Sequence, residues 1–278
     1  MFFGRDLVIA TKHHKEKVLA PILEAELGVR CMVPEELDTD KLGTFSGEVE
    51  RLDDPLTAAR KKCLLAMELT NATLAIASEG SFGPHPSLVF IPADDELLLF
   101  MDKENGLEIA VRELSTETNF NQQEVKSFAE LEAFAHRIQF PSHGLIIRSN
   151  PQDHHDLVKG IQDWSLLKEA FDYRIQQADS VFVETDMRAF CNPTRMKVIE
   201  KAAAKLIEKI QSVCPDCQNP GFGIVDHRGG LPCSWCGAPT RSTLCYIYRC
   251  VKCACVREVS YPHGKKEEDP MYCDHCNP

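Results

Sequence analysis

The sequence predicts a mixed α/β domain followed by a β-rich domain that binds metal through cysteines. In residues 1–211, apolar runs of strand length alternate with amphipathic stretches of helical period. After Gln211 the cysteines become dense, and short β-type segments lie between them. We therefore expect a mixed central sheet with helices on both faces over residues 1–211, and a C-terminal β-rich double zinc ribbon over residues 212–278.

The distribution of charge supports the same boundary. Residues 212–278 carry seven basic and seven acidic side chains, so the whole formal net charge of −11 belongs to residues 1–211. An acidic domain does not hold a nucleic-acid backbone by bulk electrostatic attraction. A small ligand or a metal ion is therefore the expected partner of the α/β domain.

In the first part of the α/β domain, the sequence predicts alternating strands and helices. Gly28 is a typical residue after a helix end, and Asp54-Pro55 is a typical helix start. The predicted elements are strand 7–10, helix 13–28, strand 31–33, a helix from Pro55 and strand 73–77. The last of these strands is expected to end at the small, polar and glycine-containing segment 78–83.

The remaining elements begin with a hairpin. Asn105-Gly106 separates two strands of alternating polarity, which is a strong signal for a two-residue turn. Ser127 and Asn192 are the expected caps of two later helices. The predicted order is strands 96–102 and 107–113, helix 127–138, strand 143–148, helix 163–177, strand 181–183 and helix 193–211.

Eight of the 13 cysteines form four CxxC pairs in the C-terminal domain. A CxxC turn directs two thiolates at one point about 2.3 Å from a zinc ion, and a second turn completes a tetrahedron. Fifteen residues separate the first two pairs and nineteen separate the last two, both within the range of four-cysteine zinc sites. The expected ligands of two structural Zn²⁺ ions are Cys214, Cys217, Cys233, Cys236, Cys250, Cys253, Cys273 and Cys276.

The spacing leaves open which pairs share a metal ion. Sequential pairing, the first pair with the second and the third with the fourth, gives two consecutive zinc ribbons and is the expected arrangement. An interleaved cross-brace is the alternative. Disulfides and redox-active pairs are disfavoured, because four CxxC pairs in tandem are typical of metal sites. Four thiolates leave no open position for water, so both sites are expected to be structural.

The C-terminal domain offers little basic surface. Its basic and aromatic residues form one small cluster, Tyr246, Tyr248, Arg249, Lys252 and Arg257. Packing or docking of a protein partner is therefore favoured over nucleic-acid binding, which stays an alternative. No stretch of the chain approaches eighteen apolar residues, and the opening apolar run is too short for a secretory signal. We expect a cytoplasmic protein with no membrane partner.

Two predicted strand ends in the α/β domain carry acidic side chains. One holds Glu79 and Gly80, and the other holds Glu184 and Asp186. Ligands of α/β sheets gather outside the carboxyl ends of strands. Because carboxylate oxygens are the ligands that Mg²⁺ prefers, we expect Glu79, Glu184 and Asp186 to hold Mg²⁺ or Mn²⁺. The site would act on a phosphorylated small molecule.

Basic side chains follow the second strand end. Arg188 and Arg195 lie close to a predicted helix start, where free N–H groups favour anions, and would stabilise the charge of a phosphoryl group. The competing interpretation is an internal ion-pair network that anchors the last helix. Three weaker candidates are the loop 43–47 as a phosphate cradle, the basic segment 12–15 as an anion site or a solvated helix end, and His154-His155 as a metal site or a surface loop.

A resemblance covers residues 5–115. It rests on Ala10-Thr11-x-His13 with Lys15, a Ser46-Gly47 loop, Thr57–Lys61 on a helix, and a strand that runs into Glu79-Gly80. This order is similar to that of nucleoside-triphosphate pyrophosphatases of the inosine/xanthosine type. The resemblance implies magnesium-dependent cleavage of nucleotides to monophosphates, metal binding by Glu79, and phosphate contacts from Lys15, Ser46 and Arg60. His13 departs from this family, which has asparagine there, and Lys15 is one position out of register.

A second resemblance spans nearly the whole chain. The stretches 43–50, 77–85, 184–189 and 273–278 resemble an uncharacterised bacterial family, a domain of unknown function. The resemblance implies a bacterial, cytoplasmic protein. Two functions are left open: a metal-dependent phosphohydrolase acting on a nucleotide-like small molecule, or a non-enzymatic ligand-binding or adaptor protein whose zinc ribbons dock a protein or nucleic-acid partner.

Overall fold

The computed structural model describes residues 1–11, 13–34, 37, 53–152 and 156–278. Within them the chain divides into two compact units. The α/β unit comprises Met1–Asn105 and Ala110–Leu206, and the cysteine-rich unit comprises Gly106–Ile109 and Ile207–Pro278. The mixed α/β class and the cysteine-rich β region are confirmed. The division into separate domains between residues 211 and 212 stays a prediction.

The first sheet is mixed, as predicted. Its strands are β1 (Asp6–Ala10), β2 (Arg30–Met32), β3 (Leu74–Pro84), β4 (Pro92–Asp102) and β5 (Leu107–Ser115). They lie in the order β2-β1-β3-β4-β5. β1 runs parallel to both β2 and β3, whereas β3 and β4 are antiparallel.

Two helices, α1 (Glu16–Leu27) and α2 (Pro55–Thr70), contact this sheet. α1 ends at Gly28, whose φ of 65° lies in the left-handed region that favours glycine. The Asp54 carboxylate accepts hydrogen bonds from the backbone N–H groups of Leu56 and Thr57, which caps α2 as predicted. One face of α2 is buried with alternate residues of the sheet, among them Ala59, Cys63, Ala66, Ala75, Ala77 and Leu99.

β3 continues through the segment that the sequence placed beyond its end. It pairs with β4 from Leu74 opposite Asp102 to Pro84 opposite Pro92. The expectation that the strand ends at residue 78 is therefore wrong. The polar segment stays extended because β4 begins at Pro92, earlier than predicted, and supplies its hydrogen-bond partners. Glu79 consequently lies within a strand and not at its end.

A second sheet contains the later strands of the α/β unit. Its members are β6 (Gln122–Val125), β7 (Leu145–Arg148), β8 (Leu157–Ile161) and β9 (Val181–Thr185), in the order β6-β9-β7-β8, and every paired neighbour is antiparallel. Helices α3 (Phe128–Arg137) and α4 (Trp164–Ile175) share its hydrophobic core. The predicted strands thus form two sheets rather than one central sheet, because β6 and β8, which the sequence did not predict, complete the second.

Helix α5 (Pro193–Gln211) follows β9 after a short loop. The Asn192 side chain accepts a hydrogen bond from the backbone N–H of Arg195, which caps the helix as predicted. The apolar positions Ile199, Ala203, Leu206 and Ile210, which recur with the period of a helix, are buried on one face of α5. Among the described residues, no helix is long and apolar enough to cross a membrane.

The cysteine-rich unit contains a three-stranded antiparallel meander. Its strands are β10 (Gly223–Gly229), β11 (Thr243–Arg249) and β12 (Val256–Ser260), with β11 in the centre. The sequence predicts β-type segments over 222–225 and 256–260, which correspond to β10 and β12, but none over β11. Every residue of β12 is exposed, and so are most residues of β10. The meander therefore buries too little apolar surface to be stable without further bonds.

Candidate metal centres and candidate active site

The eight predicted cysteines form two groups of four. Cys214, Cys217, Cys250 and Cys253 make up the first tetrad, in which the Sγ atoms of Cys214 and Cys253 lie 3.7 Å apart and those of Cys217 and Cys250 lie 3.6 Å apart. In each tetrad all four sulfur atoms lie within 4.8 Å of one another. Each group could therefore hold one metal ion.

The second tetrad has the same geometry. Cys233, Cys236, Cys273 and Cys276 bring the Sγ atoms of Cys233 and Cys276 to 3.9 Å, and those of Cys236 and Cys273 to 3.7 Å. None of the cysteines forms a disulfide, so all eight thiols are available as ligands. No other group of three or more His, Cys, Asp or Glu ligands comes together in the described part of the chain.

The pairing of the CxxC turns is interleaved, and the sequential pairing expected from the sequence is wrong. The meander gives the physical reason. The first turn precedes β10 and the third follows β11, and because these strands are antiparallel, both turns lie at the same end of the sheet. The second turn follows β10 at the opposite end, where β12 also ends. There the backbone of Glu268 bonds to Pro232 and Ser234, which holds the segment before the fourth turn beside the second.

Backbone N–H groups support the thiolates within the turns. The Sγ atom of Cys250 accepts hydrogen bonds from the backbone N–H groups of Lys252 and Cys253, and Cys233 accepts one from Trp235. Hydrogen bonds from the side chain and backbone of Asn219 lower the pKa of Cys217 to about 6. Because a metal ligand must be the thiolate, these donors favour metal binding.

A second candidate site lies in the α/β unit, where buried charged side chains surround Arg195. Its guanidinium is fully buried, and Nε donates to Glu96 Oε1 at 2.5 Å while Nη1 donates to the Met187 carbonyl at 2.5 Å. Lys15 Nζ donates to Ser78 Oγ at 2.6 Å. We call Lys15, Ser78, Asp94, Glu96 and Arg195 the ionic cluster; all five are buried.

The strand register explains how the ionic cluster forms. Ser78, Gly80 and Phe82 share one face of β3, and across the ladder Gly80 lies opposite Glu96 and Phe82 opposite Asp94. A side chain at Gly80 would collide with the cluster, because its Cβ would lie 2.5 Å from both Arg195 Nη2 and Glu96 Oε1. The Phe82 ring lies 5.0 Å from the Arg195 guanidinium carbon. Glycine and one aromatic ring thus shape the wall of the site.

Asp94 is the least satisfied member of the ionic cluster. Its side chain is fully buried, and neither carboxylate oxygen has a hydrogen-bond partner among the described residues. Burial, followed by the charge of Glu96, raises the pKa of Asp94 to about 8. Burial, followed by the charge of Arg195, lowers the pKa of Lys15 to about 7. An acid and a base of the cluster thus both titrate near neutral pH.

We expect Asp94→Asn to change the pH dependence of stability. Because the pKa of Asp94 is higher in the folded chain than in the unfolded chain, this carboxyl destabilises the fold progressively as the pH rises from about 4 to about 8. Relative to the variant, wild type should lose up to about 1.4 kcal/mol per pH unit between pH ~5 and ~7. Urea unfolding without added divalent cations measures both curves.

The neighbours of Asp94 determine the choice of pH range. Lys15 also titrates, but its lowered pKa makes stability change with pH only above about 7. Asp95 and Glu96 on β4 and Arg195 on α5 are the other charged groups that act on Asp94. Asp95→Asn is the matched control, since Asp95 lies on the same strand and pairs with Arg112. Parallel curves for wild type and Asp94→Asn would contradict the prediction.

The predicted acidic residues have different surroundings. Glu79 lies on the face of β3 opposite to the ionic cluster, where Lys62 Nζ of α2 is 2.5 Å from its carboxylate. Glu184 on β9 forms an ion pair with Arg148 of β7. Asp186 is fully buried, pairs with Arg188 and accepts hydrogen bonds from the backbone N–H groups of Gly160 and Arg188. The structure does not bring the ligand oxygens of these three carboxylates into one group that could hold a metal ion.

Some of the predicted basic and phosphate-binding residues lie in the ionic cluster, and others lie elsewhere. Arg195, Lys15 and Gly80 meet at the ionic cluster. Arg188 lies over the ring of Phe190, which also contacts the rings of His13 and His14 beside the start of α1. Arg60 is half-buried on α2. The hydrogen bond from Thr57 is the main cause that lowers the pKa of Asp54, and the charge of Arg60 adds to it. Lys12, the loop 43–47 with Ser46 and Gly47, and His154-His155 lie outside the described residues.

Sequence reasoning missed Asp94 and Glu96. A usable signal was present, because strand alternation places both on the same face of β4 as the buried residues Leu98 and Phe100. Two acidic residues on the buried face of a strand are rare without a functional or pairing reason.

The chain was also compared with known proteins. A family model described as a domain of unknown function, DUF6671, matches residues 62–278. No curated protein matches the chain. The matched range includes Glu79, Asp94, Glu96, Arg195 and both cysteine tetrads. The bacterial origin and the resemblance to pyrophosphatases stay predictions. Because the match covers well over half of the sequence, the chain belongs to the DUF6671 family of domains of unknown function.

Proposed function

We propose that the α/β unit binds and hydrolyses a phosphorylated, nucleotide-like small molecule at the ionic cluster. The observation that carries this proposal is the unsatisfied Asp94 carboxylate, buried beside the cations Lys15 and Arg195. Burying several charges costs free energy, and clusters of strongly shifted pKa values are typical of active sites. An ion-pair network that only anchored α5 would need Arg195 and Glu96, but would not need Asp94.

The chemistry of the cluster suits a phosphoryl group. Lys15 and Arg195 supply positive charge for phosphoryl oxygens, and a low-dielectric wall strengthens that attraction. The carboxylate oxygens of Asp94, which have no hydrogen-bond partner among the described residues, are available to a cation that accompanies the phosphate. A divalent cation, when bound, would polarise the phosphoryl oxygens. The resemblance to nucleoside-triphosphate pyrophosphatases points to the same class of substrate.

The test is a screen for phosphate and pyrophosphate release from a panel of nucleotides with Mg²⁺ or Mn²⁺. We expect Asp94→Asn and Lys15→Met to lower the rate by about 100-fold or more, because each removes a group that acts on the reacting phosphate. Lys168→Met, which removes an exposed ion pair with Asp172 on α4, is the control and should keep the wild-type rate. No release by folded wild type, or full activity in both cluster variants, would contradict the proposal.

We also propose that the two tetrads hold structural Zn²⁺ ions. A regular tetrahedron with Zn–S bonds of about 2.3 Å has edges of about 3.8 Å. The four measured S···S distances, between 3.6 and 3.9 Å, agree with that edge. Thiolate ligands select zinc over harder divalent ions, and four of them leave no position for substrate.

The adaptor function is the second candidate, and one observation favours it. Trp235 lies inside the CxxC turn of Cys233 and Cys236 and is 80% exposed, and Met271 and Tyr272 before Cys273 are also exposed. Exposed aromatic residues on a small metal-stabilised unit are typical of surfaces that dock proteins. In that case the α/β unit would bind nucleotides without turnover, which equilibrium dialysis beside the release assay would detect.

A further inference from the structure

β4 carries two buried carboxylates, Asp94 and Glu96, whose hydrogen-bonding capacity is only partly used by the described residues. Asp94 and Glu96 alternate onto the same face of the strand, where their Cα atoms are about 6.7 Å apart. Both side chains are fully buried. Both oxygens of Asp94 and Oε2 of Glu96 lack hydrogen-bond partners among the described residues. Three buried acceptor oxygens thus lie on one wall of the ionic cluster without a donor from that part of the chain.

A buried acceptor without a donor is costly, so the wall needs a partner beyond the described residues. A proton neutralises Asp94, but it leaves Glu96 Oε2 and the other Asp94 oxygen unsatisfied. A divalent cation satisfies all three oxygens together. Mg²⁺ and Mn²⁺ are commonly bound by one or two carboxylates, with water and phosphate oxygens completing the octahedron.

We propose that Asp94 and Glu96 bind a divalent cation of the Mg²⁺ or Mn²⁺ class on the inner face of β4. This inference rests on the proposed function, because it supplies the ion for the phosphohydrolase at the ionic cluster. It replaces the predicted ligand set, because Glu79 lies on the other face of β3 and the ligand oxygens of Glu79, Glu184 and Asp186 do not come together in one group.

The charge of the site agrees with this assignment. With both carboxylates ionised, Asp94 and Glu96 balance Lys15 and Arg195, so the cluster is neutral before the cation binds. The ion then adds two positive charges, which a phosphate ester of the substrate can neutralise. Metal and anionic substrate should therefore bind cooperatively, and each should be weak without the other.

The test uses Mn²⁺ as a probe on the full-length, zinc-loaded chain and follows the free ion by electron paramagnetic resonance. Zinc in the tetrads does not interfere, because Mn²⁺ prefers oxygen ligands to thiolates. We expect wild type to bind one Mn²⁺ per chain, and Asp94→Asn to weaken that affinity by about tenfold or more. Asp95→Asn removes the same charge from the same strand, but its carboxylate faces away and pairs with Arg112, so it should bind Mn²⁺ as wild type does.

A second measurement covers the case in which Asp94→Asn does not fold. Fe²⁺ with ascorbate cleaves the backbone near a bound metal, and mass spectrometry maps the cuts in wild type. We expect cuts around residues 78–82 and 94–96, and fewer of them when excess Mn²⁺ competes. Cleavage confined to other segments, no binding of Mn²⁺ at millimolar concentration, or equal affinity in Asp94→Asn and wild type would overturn the proposal.

The two proposals fail in different ways. Binding of Mn²⁺ that depends on Asp94, without turnover of any nucleotide, would overturn the phosphohydrolase function and leave the metal site standing. Hydrolysis of a nucleotide by wild type that binds no Mn²⁺ at the ionic cluster would leave the function standing and overturn this assignment.

Discussion

Two double substitutions of cysteine by serine are expected to leave different numbers of bound zinc ions per chain. Cys214 and Cys250 lie in the same tetrad, so replacing both should leave one zinc ion per chain. Cys214 and Cys233 lie in different tetrads, so replacing both should leave none. Sequential pairing would give the reverse result, because Cys214 and Cys233 would then share a site. Elemental analysis of the purified variants measures the count directly.

The loss of zinc should also unfold the cysteine-rich unit. Its outer strands β10 and β12 are largely exposed, so little apolar burial stabilises the meander. Structural zinc contributes about 10–16 kcal/mol in comparable small domains, which is far more than such a meander can replace. We expect limited proteolysis to cut the whole unit when Cys214 and Cys233 are replaced, and only the end that carries the first tetrad when Cys214 and Cys250 are replaced. Cys245→Ser is the control, because Cys245 is buried but belongs to neither tetrad. This variant should keep both zinc ions.

The sequence was sufficient to identify the cysteines that could hold metal ions, but not to pair them. Four CxxC turns define the ligands by local spacing, which does not depend on the rest of the fold. Pairing depends on how the chain returns between the turns, and this is a property of the sheet. The missing element was β11, whose residues Thr243–Arg249 alternate less clearly than a typical strand. A meander of three strands, once recognised, allows only the interleaved arrangement.

The α/β unit shows a similar division between local and non-local information. Helices α2 and α3 were predicted because their caps, Asp54 and Ser127, are local signals that the structure reproduces. β6 was missed because it is short and mostly polar, and β8 because Lys159-Gly160 interrupts a short apolar run. Both become strands through pairing, β6 with β9 and β8 with β7. The length of β3 also depends on its partner, because its polar second half has no strand signal of its own.

The candidate site was predicted in part. Lys15, Gly80 and Arg195 follow from general rules about strand ends and helix starts, and they meet at the ionic cluster. Glu184 and Asp186 satisfy the same rules but have nearby arginine partners, which sequence alone does not reveal. Because the rules for strand ends do not specify which face a side chain occupies, they could not separate Glu79 from the cluster or point to Asp94.

Arg195→Met is expected to destabilise the α/β unit strongly. The guanidinium and its partner Glu96 are both fully buried, so removing one charge leaves the other in a low-dielectric site. Breaking a buried pair in this way typically costs about 3–5 kcal/mol. The Met187 carbonyl would lose its donor as well. Chemical unfolding of wild type and variant, monitored by circular dichroism, measures the difference.

A double-mutant cycle separates the ion pair from simple loss of packing. Arg195→Met with Glu96→Met replaces both charges by apolar side chains, so it should be less destabilised than the sum of the two single variants. The exposed pair Lys168–Asp172 is the reference, and its disruption should change stability by less than about 1 kcal/mol. Additive effects at Arg195 and Glu96 would mean that the pair does not act as a unit. Coupling between them would show that Arg195 and Glu96 act as a unit that holds the ionic cluster in place.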